Sequence, residues 1–305
     1  MKFSIIIPTF KNFSYLKLAI ESIKKNSSFN NELIVHINGD DLETENFLNS
    51  QSIKYTKSSI NIGLCSGVNL ASKKSTTEYI VYAHDDMYFL PKWDFYLAEE
   101  INNLNSNFFY FSSTQISHIS DKMGKGTPNH IYFNAGENID TFDEKKLLEN
   151  FEKLDFYDLQ GSHWAPHVIH KDIWNKIGGF SEEYFPGTGS DPDLNMKLWK
   201  EGVRIFKGVN NCKVYHFGSI VTRNYKNHPT IKTESGSKGA KIFILKWGIS
   251  INFFKRFYLR SDTKYTGELN NPEIGIAYLI NLFLCKLNYI YIRFIYKKFN
   301  KIELQ

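Results

Sequence analysis

Phe3-Ser4-Ile5-Ile6-Ile7-Pro8-Thr9-Phe10 opens the chain with a short, nearly continuous apolar run that stops at a proline. Such a run reads as a strand buried on both faces, the kind found in parallel sheets. After it, Asn12 to Lys25 places Tyr15, Leu18, Ala19 and Ile23 at helical spacing. Glu32 to Ile37 is a second strand, ended by Asn38-Gly39. Glu43 to Leu48 reads as a short helix, Lys54 to Lys57 as a weak strand and Gly67 to Lys74 as a helix. Tyr79 to Ala83 is a strand again and runs into His84-Asp85-Asp86. This alternation predicts an α/β fold, a mostly parallel sheet with helices on both faces.

In open α/β sheets, ligands bind at the carboxyl ends of the strands. Pro8-Thr9-Phe10, Asn38-Gly39-Asp40 and Asp85-Asp86 all fall at predicted strand ends, so one rim is expected to hold a nucleotide. Turn punctuation is the plainer alternative for each cluster alone. Further on, Phe108 to Ser112 reads as a strand, Ser120 to Asn134 as a loop and Asp143 to Lys153 as a helix. Val168-Ile169 is strand-like, and Lys171 to Ile177 is a helix stopped by Gly178-Gly179. Asp193 to Glu201 is a helix ended by Gly202, followed by short strands at Val203 to Phe206 and Lys213 to His216.

Composition narrows the function classes. With 305 residues, 42% hydrophobic and 23% charged, the chain is a folded globular protein and not a disordered one. Residues 241–305 carry 11 Lys/Arg against 4 Asp/Glu, whereas residues 1–240 carry 26 against 28. The basic character therefore belongs to the C-terminal segment, and nucleic acid is not an expected partner. Cys65, Cys212 and Cys285 are odd in number and far apart, which argues against a disulfide framework and for a reducing, cytoplasmic setting. The opening apolar run is too short for a signal peptide. The run from Ile274 to Cys285, stopped by Lys286, is too short to span a bilayer.

Two acidic pairs stand out. Asp85-Asp86 follows an apolar strand, where adjacent carboxylates repel unless a cation lies between them. Oxygen ligands favour Mg²⁺ or Mn²⁺. A solvated turn or a helix cap is the alternative. The second pair, Asp191-Pro192-Asp193, is delivered by the glycine-rich stretch Phe185-Pro186-Gly187-Thr188-Gly189-Ser190 onto the start of a helix. Capping explains one of those acids without chemistry, whereas the glycines allow a ligand to approach the backbone. His216 ends a short strand and is a candidate metal ligand.

Together these segments resemble glycosyltransferase family 2, which has the GT-A fold. Ser4 to Asn12 is similar to that family's opening strand. Asn61-Ile62-Gly63-Leu64-Cys65-Ser66-Gly67-Val68-Asn69 resembles its Asn-x-Gly segment, and His84-Asp85-Asp86 stands where it carries a DxD motif. Gly178-Gly179-Phe180-Ser181-Glu182 and Asp191-Pro192-Asp193-Leu194 resemble two later elements, in the same order. The fold implied is a mixed GT-A sheet flanked by helices, with a C-terminal helical appendage. The activity implied is inverting transfer of a sugar from a nucleotide donor, most simply a UDP-sugar, to a hydroxyl of a glycan or lipid-linked glycan in surface polysaccharide synthesis. The resemblance makes Asp191 the catalytic base and gives Mn²⁺ or Mg²⁺ to Asp86 and His216. It gives the donor to Pro8, Thr9, Phe10, Asn38, Asp40, Asn61, Gly63, Asn69 and Asp85. Trp164, Tyr184 and Asp193 are the expected acceptor contacts. Three positions depart from the pattern: His84 replaces the first acid, Ser190 precedes the base, and Asn38 or Asp40 must substitute for an acid near the nucleobase.

A nucleotidyltransferase also places carboxylates on such a rim, but its N-terminal loop is usually glycine-rich, and Pro8 to Asn12 has no glycine. A catalytically silent sugar-nucleotide or glycan-binding protein is the other alternative. The chain is divided into a catalytic domain, residues 1–220, and a basic, aromatic helical segment, residues 221–305. In that segment Lys286, Arg293 and Lys297 share a helical face beside Ile276, Leu279, Ile280, Phe283, Leu287 and Ile290. The expectation is contact with the inner membrane face, or packing on the catalytic domain or a second subunit.

Overall fold

The computed structural model describes residues 1–118, 130–162, 164–218 and 235–296. Strands β1 (Phe3–Thr9), β2 (Glu32–Asn38), β3 (Lys54–Ser58) and β4 (Tyr79–Tyr82) form a parallel half-sheet in the order β3-β2-β1-β4. Helices α1 (Phe13–Asn26), α2 (Leu42–Ser50) and α3 (Gly63–Ser72) connect them. β1 lies between β2 and β4, and every one of its residues is buried. That placement is why its sequence is apolar without alternation.

The remaining sheet is mixed. β9 (His167–His170) pairs antiparallel with β4 and with β6 (Phe109–Ser117), and β10 (Ile205–His216) runs parallel to β6. Two reversals restore direction, so β10 runs the same way as β1 and β4. The C-terminal end of β10, His216, therefore reaches the rim where β4 delivers residues 83–86. β5 (Met87–Phe89) pairs antiparallel with the end of β10, matching Met87 with His216 and locking the two segments together. β7 (His130–Tyr132), β8 (Leu159–Gln160) and β11 (Thr263–Lys264) complete the sheet.

Several elements differ from the sequence reading. The expected strands at 203–206 and 213–216 are one strand, β10, with a register shift between Val209 and Lys213. A bulge carries polar residues through a ladder that the sequence shows as two runs. α3 starts four residues early, where two side chains satisfy the backbone at its entry: Asn38 Oδ1 accepts from Ile62 N–H and Asn61 Oδ1 from Gly63 N–H. Helix α4 (Trp93–Asn102) has no counterpart in the expected elements, although Trp93, Leu97, Ala98 and Ile101 are buried at helical spacing. Of the loop expected at 120–134, residues 120–129 lie outside the described residues, and His130–Tyr132 is β7. Helices α5 (Glu144–Asn150), α6 (Lys171–Lys176) and α7 (Ser190–Lys200) follow the reading closely.

The C-terminal segment comprises α8 (Ser235–Trp247), α9 (Ile251–Phe253) running into a π-helical stretch (Phe254–Leu259), and α10 (Ile276–Ile290) with a π-helical turn (Tyr291–Tyr296). Phe243, Phe253, Phe254 and Leu259 are buried in the same core as Phe3, Ile5, Val81 and Phe206. The first half of this segment therefore shares the core of the sheet. Lys297, expected on the cationic face, lies outside the described residues. No described helix is long and apolar enough to cross a membrane.

Candidate active site

A cavity of about 310 Å³ opens at the carboxyl rim of the parallel strands. β1 contributes Pro8, Thr9 and then Phe10, β2 contributes Asn38, and the approach to α3 contributes Asn61, Gly63 and Leu64. Tyr82, His84, Asp85 and Asp86 come from the end of β4. Pro186, Gly187, Thr188, Ser190 and Asp191 come from the loop and first turn of α7. Asp86 and Asp191, 105 positions apart by number, thus line one cavity.

Asp191 sits in the first turn of α7, half-buried, and its Oδ1 has no hydrogen-bond partner. Burial pushes its carboxyl up to about 7. A carboxylate that shares few donors and little water holds its proton longer. The loop before it is tied internally, since Ser190 Oγ donates to Gly187 O at 2.7 Å. Gly189, the residue before α7, has φ +88°, a conformation open to glycine.

On the other side, Thr9 Oγ1 donates to Asp85 Oδ2 at 2.7 Å. The Asp85 carboxyl is raised by burial and by the neighbouring Asp86 charge. The polar atoms around Asp86 form a cluster. His216 Nε2 lies 3.2 Å and His84 Nδ1 4.0 Å from Asp86 Oδ1, and all three ligand atoms fall within 4.8 Å of one another. Burial and the nearby His216 hold the His84 imidazole down at about 4.

Gln115 fixes the chemistry of this cluster. Its Nε2 donates to Ala165 O at 2.5 Å, so its Oε1 faces His216 Nδ1 at 3.0 Å. An amide oxygen can only accept, so Nδ1 carries the hydrogen and Nε2 presents its face to Asp86. His216 Nε2 makes no hydrogen bond despite the 3.2 Å separation. Two imidazole nitrogens and a carboxylate oxygen, one of them buried and unpartnered, are a donor set that fits a divalent cation. The glutamine behind the histidine is the outer contact that such ligands use for orientation.

Of the residues expected from sequence, Pro8, Thr9, Phe10, Asn38, Asn61, Gly63, Asp85, Asp86 and Asp191 line the cavity. His216 stands behind Asp86. Five others are elsewhere. Asp40 is exposed beyond the rim. Asn69 clamps the backbone of Phe180, donating to its carbonyl at 2.8 Å and accepting from its N–H at 2.9 Å. Tyr184 is buried in the core. Asp193 is fully buried and accepts from Ser181 Oγ at 2.5 Å, Trp247 Nε1 at 2.7 Å and Lys246 Nζ at 3.1 Å. Trp164 is half-buried, is not on the cavity wall, and its carbonyl accepts from the Tyr110 hydroxyl. For Tyr184 and Asp193 the acceptor expectation is therefore corrected: one packs in the core, and the oxygens of the other are used by the fold.

Sequence reasoning takes His84 as a lost acid and misses its place in the Asp86–His216 cluster; an imidazole beside two carboxylates was the available signal. It also missed Gln115, which has no local signal, since only the fold brings it beneath His216.

The family model described as Glycosyl transferase family 2 matches residues 4–163 of the chain. The match covers Asp86 but stops short of Asp191. No curated protein sequence matches. Among solved structures, S. aureus TarS superposes with a TM-score of 0.54 at 14% identity, over 100% of this chain and 46% of that one. The chain thus spans under half the length of that protein. TarS 1-349 in complex with UDP-GlcNAc gives 0.55 at 14% identity, over 100% and 77%, and the complex with UDP gives 0.52 at 13%, over 100% and 76%. At these identities the likeness is one of fold.

Proposed function

This chain belongs to glycosyl transferase family 2, and we propose that it moves a sugar from a nucleoside diphosphate donor to a hydroxyl group, inverting the anomeric centre, with Asp191 as general base. The single observation that carries this reading is the shared cavity: a half-buried carboxylate with a free oxygen at Asp191, and the His84–Asp86–His216 cluster, line or border the same space.

The donor diphosphate lies against the Asp86 side. Thr9 holds Asp85 through its hydroxyl and so orients the carboxylate toward the ribose or sugar. Phe10, Asn38 and Asn61 line the wall that receives the nucleobase. The acceptor hydroxyl enters beside Asp191. As its oxygen bonds to the anomeric carbon, the bond from that carbon to the diphosphate oxygen breaks, and the hydroxyl proton passes to Asp191. Attack from the face opposite the leaving group inverts the centre. Base catalysis of this kind contributes about 10²–10⁴-fold. Asp86, His216 and His84 would hold a divalent cation at this end of the cavity, and its positive charge would be available to the departing diphosphate. Two imidazole donors suit Mn²⁺ better than Mg²⁺, which prefers oxygen ligands.

S. aureus TarS structures contain UDP and UDP-GlcNAc, which makes a UDP-sugar the first donor to try, with a glycan or lipid-linked glycan as acceptor. Residues 1–220 carry the chemistry, and the described residues 235–296 of the C-terminal segment brace it. The test is thermal shift with UDP-, GDP- and TDP-sugars, each with Mn²⁺ and with chelator. A bound donor raises apparent stability by roughly 2.7 kcal/mol at 100 times its Kd. Stabilisation by one nucleotide class, dependent on Mn²⁺, is expected; no response to any nucleotide sugar in Mn²⁺ overturns the reading.

A further inference from the structure

We propose that the outward face of α10 and its π-helical turn is a docking surface for an anionic lipid leaflet. The helix turns the wrong way for a monomer in water. Its inner side, with Cys285 and Ile292 buried and Tyr278 against Phe253 and Phe257 at 5.0 and 5.3 Å, holds it to the body of the protein. Its outer side is almost wholly large and apolar. Ile276, Ile280, Phe283, Leu287, Ile290 and Phe294 follow one another at spacings of three and four, and all are exposed, Ile276 by 79% and Phe283 by 61%. Leu279, Leu284 and Tyr291 widen the stripe and are about half exposed or more.

At 1.5 Å per residue the stripe is about 30 Å long. A continuous apolar surface of that kind marks an interaction site and not a solvated face. The inner contacts hold the helix along the body, so it lies on a partner and does not thread one.

Charge selects the partner. Lys286 and Arg293 are exposed on the flank of the stripe. Between Glu273 and Glu303 the sequence carries five cations, Lys286, Arg293, Lys297, Lys298 and Lys301, and no acid. In a two-fold dimer through this face Lys286 and Arg293 meet their own copies, with no carboxylate among the described residues of the stripe to pair with. An anionic leaflet supplies the missing charge, while the apolar stripe sinks to the level of the acyl chains. The surface is independent of the catalytic assignment, since it shares no residue with the cavity.

The test is vesicle sedimentation of the full chain without donor, with light scattering in parallel. With vesicles containing about 30% phosphatidylserine the chain is expected to sediment, and with phosphatidylcholine alone to remain largely in solution. Lys286→Glu with Arg293→Glu should weaken binding by about 25-fold or more, at ~5-fold per cation. Leu279→Ser with Phe283→Ser should abolish it while leaving the melting temperature unchanged, because both side chains are already exposed. Failure to bind anionic vesicles overturns the proposal. Equal binding to neutral vesicles, or indifference to the charge reversal, overturns the assignment to anionic lipid. A stable dimer dispersed by Phe283→Ser, with no vesicle binding, overturns it in favour of a second copy.

Discussion

Asp191 carries two consequences of the same burial. Its carboxyl ionises near 7 in the fold against an ordinary 3.8, and the charged form is the poorly solvated one. As a base it must be ionised, so kcat/KM is expected to climb with pH through about 7, a rise that a pH profile reads directly. Its effect on stability has the opposite sense. The proton is held more tightly in the folded state, so folding is relatively favoured at low pH, and the advantage is lost as pH rises from 3.8 through about 7. Asp191→Asn is thus expected to melt higher than the native chain at pH 8 and no higher at pH 3.5, while transfer falls by about 10²-fold or more and donor binding persists. Native-like transfer by this variant rejects the base. Gln115 acts one step back from the chemistry. Gln115→Leu frees His216 to turn and is expected to weaken Mn²⁺ binding by about 10–100-fold, measured by titration calorimetry. An unchanged affinity rejects the orienting role.

At the scale of elements, α8 braces the segment that carries Asp191. A Cβ on Gly239 would overlap Thr188 O and lie 3.3 Å from Gly189 Cα, so the helix backbone touches the loop directly. Gly239→Ala must push the two apart, and both a lower melting temperature and a lower kcat are expected. Seven and eight residues on, Lys246 and Trp247 hold Asp193 in the first turn of α7. Trp247→Phe removes one donor from a fully buried carboxylate, with an expected cost of about 1–3 kcal/mol in urea unfolding. Asp193 explains why the acidic pair misled: the two acids are two positions apart, yet one faces the cavity and the other faces α8. A helix turns by 100° per residue, so such neighbours point in different directions. Periodicity located α1 and α6 well because each packs a single face, whereas α7 is buried nearly all round and is marked by Gly202 at its end. Periodicity divided β10 in two because a bulge interrupts the pattern, and it passed over β5, which has only three residues.

At the scale of the whole molecule, the described residues 235–296 share one core with the sheet. Phe243, Phe253, Phe254 and Leu259 complete the core of the sheet, and β11 pairs with β8 at its edge. Truncation after residue 240 is expected to expose that core and yield aggregated protein, whereas truncation after residue 273 removes mainly exposed surface and should leave a cooperative melt. Circular dichroism on both truncations checks this, and equal behaviour of the two contradicts the shared core. What the sequence alone determined was the local content: a parallel half-sheet from mostly apolar runs, polar clusters at its strand ends, and five segments in family order. Those signals survive in one dimension because each is made by residues adjacent in the chain. Only tertiary structure decided that β4 and β10 run the same way and so bring His84, Asp86 and His216 together. It also decided that Gln115 stands beneath them and that Asp193 belongs to the fold. Each of these depends on two chain reversals or on the direction of one helix face, and no short stretch of residues encodes either.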